Sequence, residues 1–180
     1  RDRVIWITGL SGAGKTTLAN SLYAEFKAKN VNVIKLDGDE LREVFGIHSD
    51  QKHDRQSRAL LGHSYSRLCM MLANQGFTVI VATISMIKEL NEWNRTNLPN
   101  YFEVYLKVPR SELLRRDPKG IYQKFKAGEI SNVAGFDLEV DEPESADIVF
   151  DFDAGDSWES LQNLMFQKIF KFNIFYDISF

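Results

Sequence analysis

The stretch from Gly9 to Thr17, which reads GLSGAGKTT, constrains the fold more than any other part of the chain. It matches G-x-x-x-x-G-K-[ST], the pattern of a loop that binds phosphate groups. The apolar run from Val4 to Thr8 predicts a buried strand before it, and apolar residues from Leu18 to Phe26 recur at helical spacing after it. A strand, this loop and a helix in that order predict a site for ATP or GTP.

The residue types in this loop suit phosphate binding. Glycine at positions 9, 12 and 14 allows tight turns whose N–H groups point at phosphate oxygens. Lys15 can reach the β- and γ-phosphates, and the Thr16 hydroxyl can ligate Mg²⁺. We therefore expect eight residues to bind the nucleotide, namely Gly9, Ser11, Gly12, Ala13, Gly14, Lys15, Thr16 and Thr17.

Strand and helix patterns alternate from one end of the chain to the other. Further strands are predicted at 31–36, 77–82, 101–108 and 146–150, with helices near 40–45, 59–74, 87–98 and 110–116 between them. This order predicts an α/β fold of the P-loop kinase type, with a parallel sheet covered by helices on both faces. Ligands of such sheets bind outside the carboxyl ends of the strands.

Two stretches break this alternation. Residues 117–144 mix glycine, proline and charge without a regular pattern, which predicts a lid loop. Residues 157–180 predict a terminal helix followed by an aromatic tail that packs against the body or another subunit. We expect one domain over residues 1–180, assembled as a homodimer.

Composition excludes several classes of partner. A formal charge of −3 gives no basic face for a nucleic acid, and no apolar run is long enough to cross a bilayer. Cys69 is the only cysteine, so no disulfide framework can form within one chain. The sequence therefore predicts a cytoplasmic protein with a small-molecule partner.

Three classes of nucleotide-binding protein remain: a small-molecule kinase, a GTPase or ATP-driven motor, and a binding module without chemistry. The chain lacks the Asn-Lys-x-Asp motif of a GTPase, and its most strand-like run ends at Thr83-Ile84-Ser85 rather than at an acidic residue. Asp37 and Asp39 instead follow the second strand. Because phosphoryl transfer needs a carboxylate near the acceptor hydroxyl, this placement favours a kinase.

Several blocks beyond the phosphate loop resemble one kinase family. They are LDGDELR at 36–42, DR at 54–55, IS at 84–85, FEVYL at 102–106, RDPKGIY at 116–122 and AGEI at 127–130. In this order they resemble adenylyl-sulfate (APS) kinase, over the chain to about Asp151. The resemblance implies transfer of phosphate from MgATP to the ribose 3′-hydroxyl of APS.

The resemblance also implies roles for individual residues. Catalysis would involve Lys15, Asp37, Asp39, Ser85 and Lys119, and Mg²⁺ would be bound by Thr16 and Asp37. The acceptor would be bound by Asp39, Arg42, Arg55, Arg58, Ile84, Ser85 and Lys119. Ser85 stands where the family is described with a phosphoserine intermediate. We expect a hydroxyl that positions the substrate instead, because in-line transfer needs no covalent intermediate.

The departures from the family pattern fall on the acceptor side. The Asn and paired arginines expected after Asp54-Arg55 are absent, and Ile47 and Val133 replace two aromatic residues that sandwich the acceptor's adenine in the family. A stacked base contributes about 1–3 kcal/mol, so their loss would weaken purine binding. An alternative acceptor is cytidine diphosphoramidate, used in surface-polysaccharide pathways. His48, His53 and His63 could supply polar contacts to it or serve in packing.

Overall fold

The computed structural model describes residues 3–47 and 54–174, with side chains described as far as residue 170. Strands and helices alternate through these ranges. The strands are β1 (Arg3–Thr8), β2 (Val33–Asp37), β3 (Thr78–Ala82), β4 (Phe102–Lys107) and β5 (Ile148–Asp151). The helices are α1 (Lys15–Ala28), α2 (Gly38–Val44), α3 (Arg55–Ala73), α4 (Lys88–Asn97), α5 (Arg110–Arg116), α6 (Ile121–Lys126) and α7 (Trp158–Ile174).

The five strands form one parallel sheet in the order β2-β3-β1-β4-β5. Strand β1 lies at its centre, where Ile5 is level with Ile80 of β3 and Phe102 of β4. Four consecutive β1 residues, from Val4 to Ile7, are fully buried. An unbroken apolar run suits a strand that is covered on both faces.

Helices cover both faces of the sheet. On one face α1 and α7 pack through residues that include Leu18, Leu22, Phe26, Leu161, Met165 and Ile169. On the other face α3 and α4 pack through Tyr65, Cys69, Ala73 and Leu90. The predicted α/β fold is confirmed, and Cys69 is the buried apolar residue that its surroundings in the sequence indicated.

The strand order determines where a ligand can bind. Neighbouring strands β2, β3 and β1 all end at one edge of the sheet, because the sheet is parallel. The segments that follow them begin at Gly38, which is the first residue of α2, at Thr83 and at Gly9. These three segments therefore meet at the carboxyl edge, where open α/β sheets bind their ligands.

The segment 117–144 is more ordered than predicted, because it contains the helix α6. The Asp117 carboxylate accepts hydrogen bonds from the backbone N–H groups of Tyr122 (3.2 Å) and Gln123 (3.0 Å) in the first turn. Gly120 and Gly128 bracket the helix in left-handed conformations. A helix of six residues is too short to show a helical pattern in the sequence, so the prediction was incomplete there.

The predicted terminal helix is confirmed as α7. At its distal end the Phe170 ring lies 4.9 Å from the Phe26 ring, and the Lys29 ammonium lies over it at 5.2 Å. This part of the aromatic segment thus packs against α1, while the side chains that follow Phe170 lie outside the described part of the chain. Among the described helices, none combines the length and the apolar character that crossing a bilayer requires.

Candidate active site

The phosphate loop joins β1 to α1 and depends on glycine at two places. A Cβ on Gly9 would lie 2.8 Å from the Leu106 carbonyl oxygen, so only glycine lets the loop start this close to β4. Gly14 precedes α1 with φ +102°, a left-handed conformation that side chains strain. Together they allow the chain to turn from the strand into a helix whose N-terminus faces the cleft.

Lys15 is the first residue of α1, and its Nζ donates to the Leu10 carbonyl oxygen at 2.9 Å. The pKa of Lys15 is lowered to about 8, chiefly by desolvation within the cleft and also by the nearby charge of Lys119. The charges of Asp39 and Asp37 offset only part of this effect. An anion in the cleft would restore the missing interactions of this charge.

Asp37 connects the phosphate loop to α2. Its Oδ2 accepts a hydrogen bond from the Thr16 hydroxyl at 2.7 Å, and its Oδ1 caps α2 by accepting from the Asp39 N–H at 2.9 Å. The carboxylate is therefore positioned by both elements. Hydroxyl and carboxylate oxygens are the ligands that Mg²⁺ prefers, so Thr16 and Asp37 are suited to hold that ion.

Asp39 lies between two cations. It forms ion pairs with Arg42, one turn along α2, and with Lys119 of the segment 117–144. Partial burial alone would raise the pKa of Asp39, but the hydrogen bonds and charges of Lys119 and Arg42 outweigh it and lower that pKa below its ordinary value. Asp39 is thus ionised at neutral pH.

The segment 117–144 closes over the phosphate loop. Arg116 Nη1, just before it, donates to the Gly12 carbonyl oxygen at 3.2 Å, and the Tyr122 hydroxyl donates to the Ser11 carbonyl oxygen at 2.6 Å. A Cβ on Gly135 would lie 2.6 Å from the Leu10 side chain. These contacts place Lys119 above the loop, as a lid would.

Between the loop, α2 and this segment lies a cavity of about 570 Å³. That volume is within the usual range for sites that bind small molecules and cofactors. Its lining includes Ser11, Gly12, Gly14, Lys15, Thr16, Thr17, Asp37, Asp39, Arg42, Ile84, Arg116 and Lys119. The structure therefore brings most of the predicted nucleotide-binding and catalytic residues to one cleft.

A second, narrower cavity of about 40 Å³ adjoins the first, since Arg42, Thr83 and Ile84 line both. We call it the arginine crevice, after the three arginines Arg42, Arg55 and Arg58 in its lining. The rest of the lining is Leu61, Gly62, Tyr65, Thr83, Ile84, Ser85, Met86, Ile87, Leu138, Glu139 and Val140. The crevice has room for a small group but not for a nucleoside.

The arginines of the crevice already have partners in the structure. Arg55 Nη2 contacts Asp141 Oδ2 at 2.7 Å and Glu89 Oε2 at 3.4 Å. The hydrogen bond with Asp141 is the largest cause that raises the pKa of Arg55. Arg58 Nη2 donates to the Asn132 carbonyl oxygen at 2.6 Å. Sequence reasoning missed Asp141, which lies in the segment without a regular pattern and also caps α4 at Lys88.

Ser85 lies where β3 leads into the crevice. Its φ of +26° is unusual for a residue other than glycine, and its hydroxyl lies 2.9 Å from that of Thr83. The Thr8 hydroxyl hydrogen-bonds the adjacent Ile84 carbonyl oxygen. These contacts fix the Ser85 hydroxyl in the crevice, next to Thr83 and Ile84, which line both cavities.

The replaced aromatic positions do not line either of these two cavities. Val133 is buried in the core, and the rings of Phe136 and Tyr122 pack next to it with centroids 4.6 Å apart. Ile47 is half-buried and donates its N–H to the Arg42 carbonyl oxygen at 2.8 Å. His63 packs edge-to-face on Trp93, whereas His48 and His53 lie outside the described residues.

Sequence reasoning also missed Trp158, the first residue of α7. A Cβ on Gly14 would lie 3.4 Å from the Trp158 ring, so the indole packs on the turn that starts α1. Trp158 falls within the predicted terminal helix, but nothing in its sequence surroundings indicates contact with a loop 144 positions away. Only the order of the strands brings them together.

Comparison with known proteins identifies the family. The family profile described as adenylylsulphate kinase matches residues 1–151. The chain belongs to the adenylylsulphate kinase family. The predicted family is therefore confirmed, and with it the enzyme class, a phosphotransferase that uses ATP and acts on a hydroxyl group.

Relatives within this family have two different names. Cytidine diphosphoramidate kinase of Campylobacter jejuni is 43% identical over 166 residues, which cover 92% of this chain and 95% of that protein. A probable adenylyl-sulfate kinase of Archaeoglobus fulgidus is 37% identical over 153 residues, 85% and 97% of the two chains. The structure of the Mycobacterium tuberculosis APS kinase in complex with AMPPNP and APS has a TM-score of 0.82 at 30% identity, covering 94% and 97%.

Proposed function

We propose that this enzyme transfers the γ-phosphate of MgATP to the ribose 3′-hydroxyl of cytidine diphosphoramidate. The observation that supports this acceptor is the split between the two sides of the cleft. The phosphate loop, Asp37, Asp39 and Lys119 keep the family pattern, whereas the pattern after Asp54-Arg55 is lost in α3, whose residues Arg58 and Leu61 line the arginine crevice. The 43% identity to a cytidine diphosphoramidate kinase agrees with that split.

In the proposed reaction the acceptor's 3′-oxygen attacks the γ-phosphorus, and the bond from that phosphorus to the bridging oxygen of ADP breaks. Asp39 accepts the hydroxyl proton. Its lowered pKa makes it a weak base, which suits a transfer in which the proton leaves late, after the oxygen has begun to bond to phosphorus. Lys15 and Lys119 stabilise the charge on the moving group from two sides.

Mg²⁺ bound at Thr16 and Asp37 would neutralise charge on the phosphates of ATP. In this chain the hydrogen bond between these two side chains already places their oxygens 2.7 Å apart. Ser85 positions the acceptor and forms no phosphoserine. We therefore expect Ser85→Ala to keep part of the activity.

APS is the second candidate acceptor. It is the usual acceptor of enzymes named adenylyl-sulfate kinase, and the Mycobacterium tuberculosis relative was solved with AMPPNP and APS. A chain that kept the family's preference would use APS in spite of the changes at Ile47 and Val133. The two candidate acceptors are therefore distinguished by comparing the kcat/KM of the enzyme for each of them.

The test is a phosphotransfer assay of the purified protein, with ADP release and the phosphorylated product both measured. We expect turnover of cytidine diphosphoramidate at least tenfold more efficient, in kcat/KM, than turnover of APS. Lys15→Ala should abolish it, whereas Lys27→Ala, at an exposed position of the same helix, should not. Efficient turnover of APS would overturn the proposed acceptor. If the protein bound ATP but phosphorylated neither acceptor, the result would indicate a nucleotide-binding module without catalytic activity.

Three further expectations stay predictions. They are a single domain over residues 1–180, a homodimer and a cytoplasmic location. Sedimentation equilibrium of the full chain measures the second, and a monomer at micromolar concentration would contradict it.

A further inference from the structure

The arginine crevice has an acidic residue in its lining, although two of its arginines already have acidic partners. Glu139 lies in its lining, between Leu138 and Val140. The crevice arginines Arg42 and Arg55 already form ion pairs with Asp39 and Asp141. Glu139 therefore adds a further negative charge to the crevice. A site that only bound anions would instead keep the positive charge of its arginines.

Glu139 is an exposed residue that forms part of the crevice lining, as does Arg55. Its charge contributes to the raised pKa of Arg55, after the larger effects of Asp141 and Glu89. An exposed carboxylate in this lining can reach a small acceptor group held beside Arg55. The hydroxyls of Thr83 and Ser85 line the same crevice and can donate or accept.

The two candidate acceptors differ in what their 5′ ends can do. A terminal sulfate or phosphate presents oxygens that only accept hydrogen bonds. A terminal phosphoramidate carries an amino group, whose N–H bonds donate. An ionised carboxylate only accepts, so it repels the first kind of end group and pairs with the second.

We propose that Glu139 selects acceptors whose 5′ end carries an amino group, by accepting a hydrogen bond from it and by repelling a terminal sulfate or phosphate. The inference rests on the proposed function, since it concerns the acceptor side of the same cleft. It makes Glu139 a specificity residue and gives it no part in moving the phosphoryl group. The alternative is a solvated lid carboxylate that only adds to the charge around Arg55.

The test compares cytidine diphosphoramidate with CDP, which share the nucleoside and differ at the end group. Glu139→Gln removes the charge and keeps the shape of the side chain. A hydrogen bond to a charged group contributes more free energy than one to a neutral group. We therefore expect the kcat/KM for cytidine diphosphoramidate, divided by that for CDP, to fall about tenfold or more. Glu139→Ala should lower the ratio as well, through loss of the accepting oxygens.

Glu142→Gln is the matched control. Glu142 is an exposed carboxylate of the same segment, paired with Lys107 at 3.8 Å and outside the lining of the crevice. We expect it to change the ratio less than twofold. Equal losses for both acceptors in Glu139→Gln, or the same change in Glu142→Gln, would overturn the inference.

Measurements of acceptor binding test this inference even if the proposed function fails. If the wild type phosphorylates neither acceptor, the proposed function fails. Calorimetric titration of cytidine diphosphoramidate and CDP, each with AMPPNP present, then decides the role of Glu139. An affinity ratio that falls in Glu139→Gln supports the selection, and an unchanged ratio refutes it.

Discussion

Replacing Lys119, which forms an ion pair with Asp39, tests whether this residue contributes to stability or to catalysis. Both side chains are about half exposed, at 48% and 49%. Exposed pairs of this kind contribute roughly 0.2–1 kcal/mol to the free energy of unfolding. At roughly 2–4 °C per kcal/mol for a chain of this size, Lys119→Met should lower Tm by no more than about 4 °C.

The catalytic effect of the same change should be far larger. If Lys119 stabilises the moving phosphoryl group and Asp39 takes the acceptor's proton, each substitution removes an interaction made in the transition state. Such losses reduce kcat by about 10²–10⁴-fold. We therefore expect Lys119→Met and Asp39→Asn each to reduce kcat at least about 100-fold.

The assay measures kcat with saturating acceptor, and Tm by differential scanning calorimetry, for both single variants and the double variant. Lys124→Met, in the neighbouring helix α6, is the matched control and should keep most of the activity. The two main substitutions should combine to less than the product of their separate effects, because the side chains contact each other. A loss of kcat below about fivefold for Lys119→Met would refute the assigned role. A fall in Tm above about 10 °C would show a structural one.

Two further predictions concern the charges of Lys15 and Glu103. The pKa of Lys15 lies at about 8 in the free cleft and ATP favours its charged form, so ATP affinity should fall about tenfold per pH unit above pH 8. Calorimetry should show that fall in the wild type but not in Lys15→Arg, and a flat wild-type profile would contradict it. Arg95 approaches the buried Glu103 at 3.5 Å, so Arg95→Ala should cost about 3 kcal/mol of unfolding free energy, or roughly 6–12 °C in Tm. An unchanged Tm would show that the Tyr101 hydroxyl and water satisfy Glu103 without Arg95.

Most of the fold could be predicted from apolar runs alone. The predicted strand 77–82 corresponds to β3, and the predicted helix 110–116 corresponds to α5 residue for residue. Buried parallel strands carry continuous apolar runs and covering helices carry periodic ones, so local composition reports the layer that each segment occupies. The helix α6 was not predicted because a helix of six residues is too short to show either pattern.

Some features of the candidate site could likewise be predicted from the sequence, and others could not. Asp37 and Thr16 were expected at one site, and their side chains meet at 2.7 Å, because the carboxyl ends of the parallel strands β1 and β2, on either side of β3, share an edge. Asp141 and Trp158 could not be placed. Their partners, Arg55 and Gly14, lie far away in the chain, and no local pattern records a contact of that kind.

Local chemistry was thus enough to identify a triphosphate-binding loop, the acids after the second strand and the kinase family, because a phosphate loop works through backbone N–H groups of neighbouring residues. Contacts across the cleft were decided by tertiary structure alone. The pairing of Lys119 with Asp39, the place of Glu139 in the lining of the arginine crevice and the burial of Val133 all depend on how the segment 117–144 packs over the sheet. That packing joins residues distant in sequence, and its energy is spread over many small contacts that no short motif encodes.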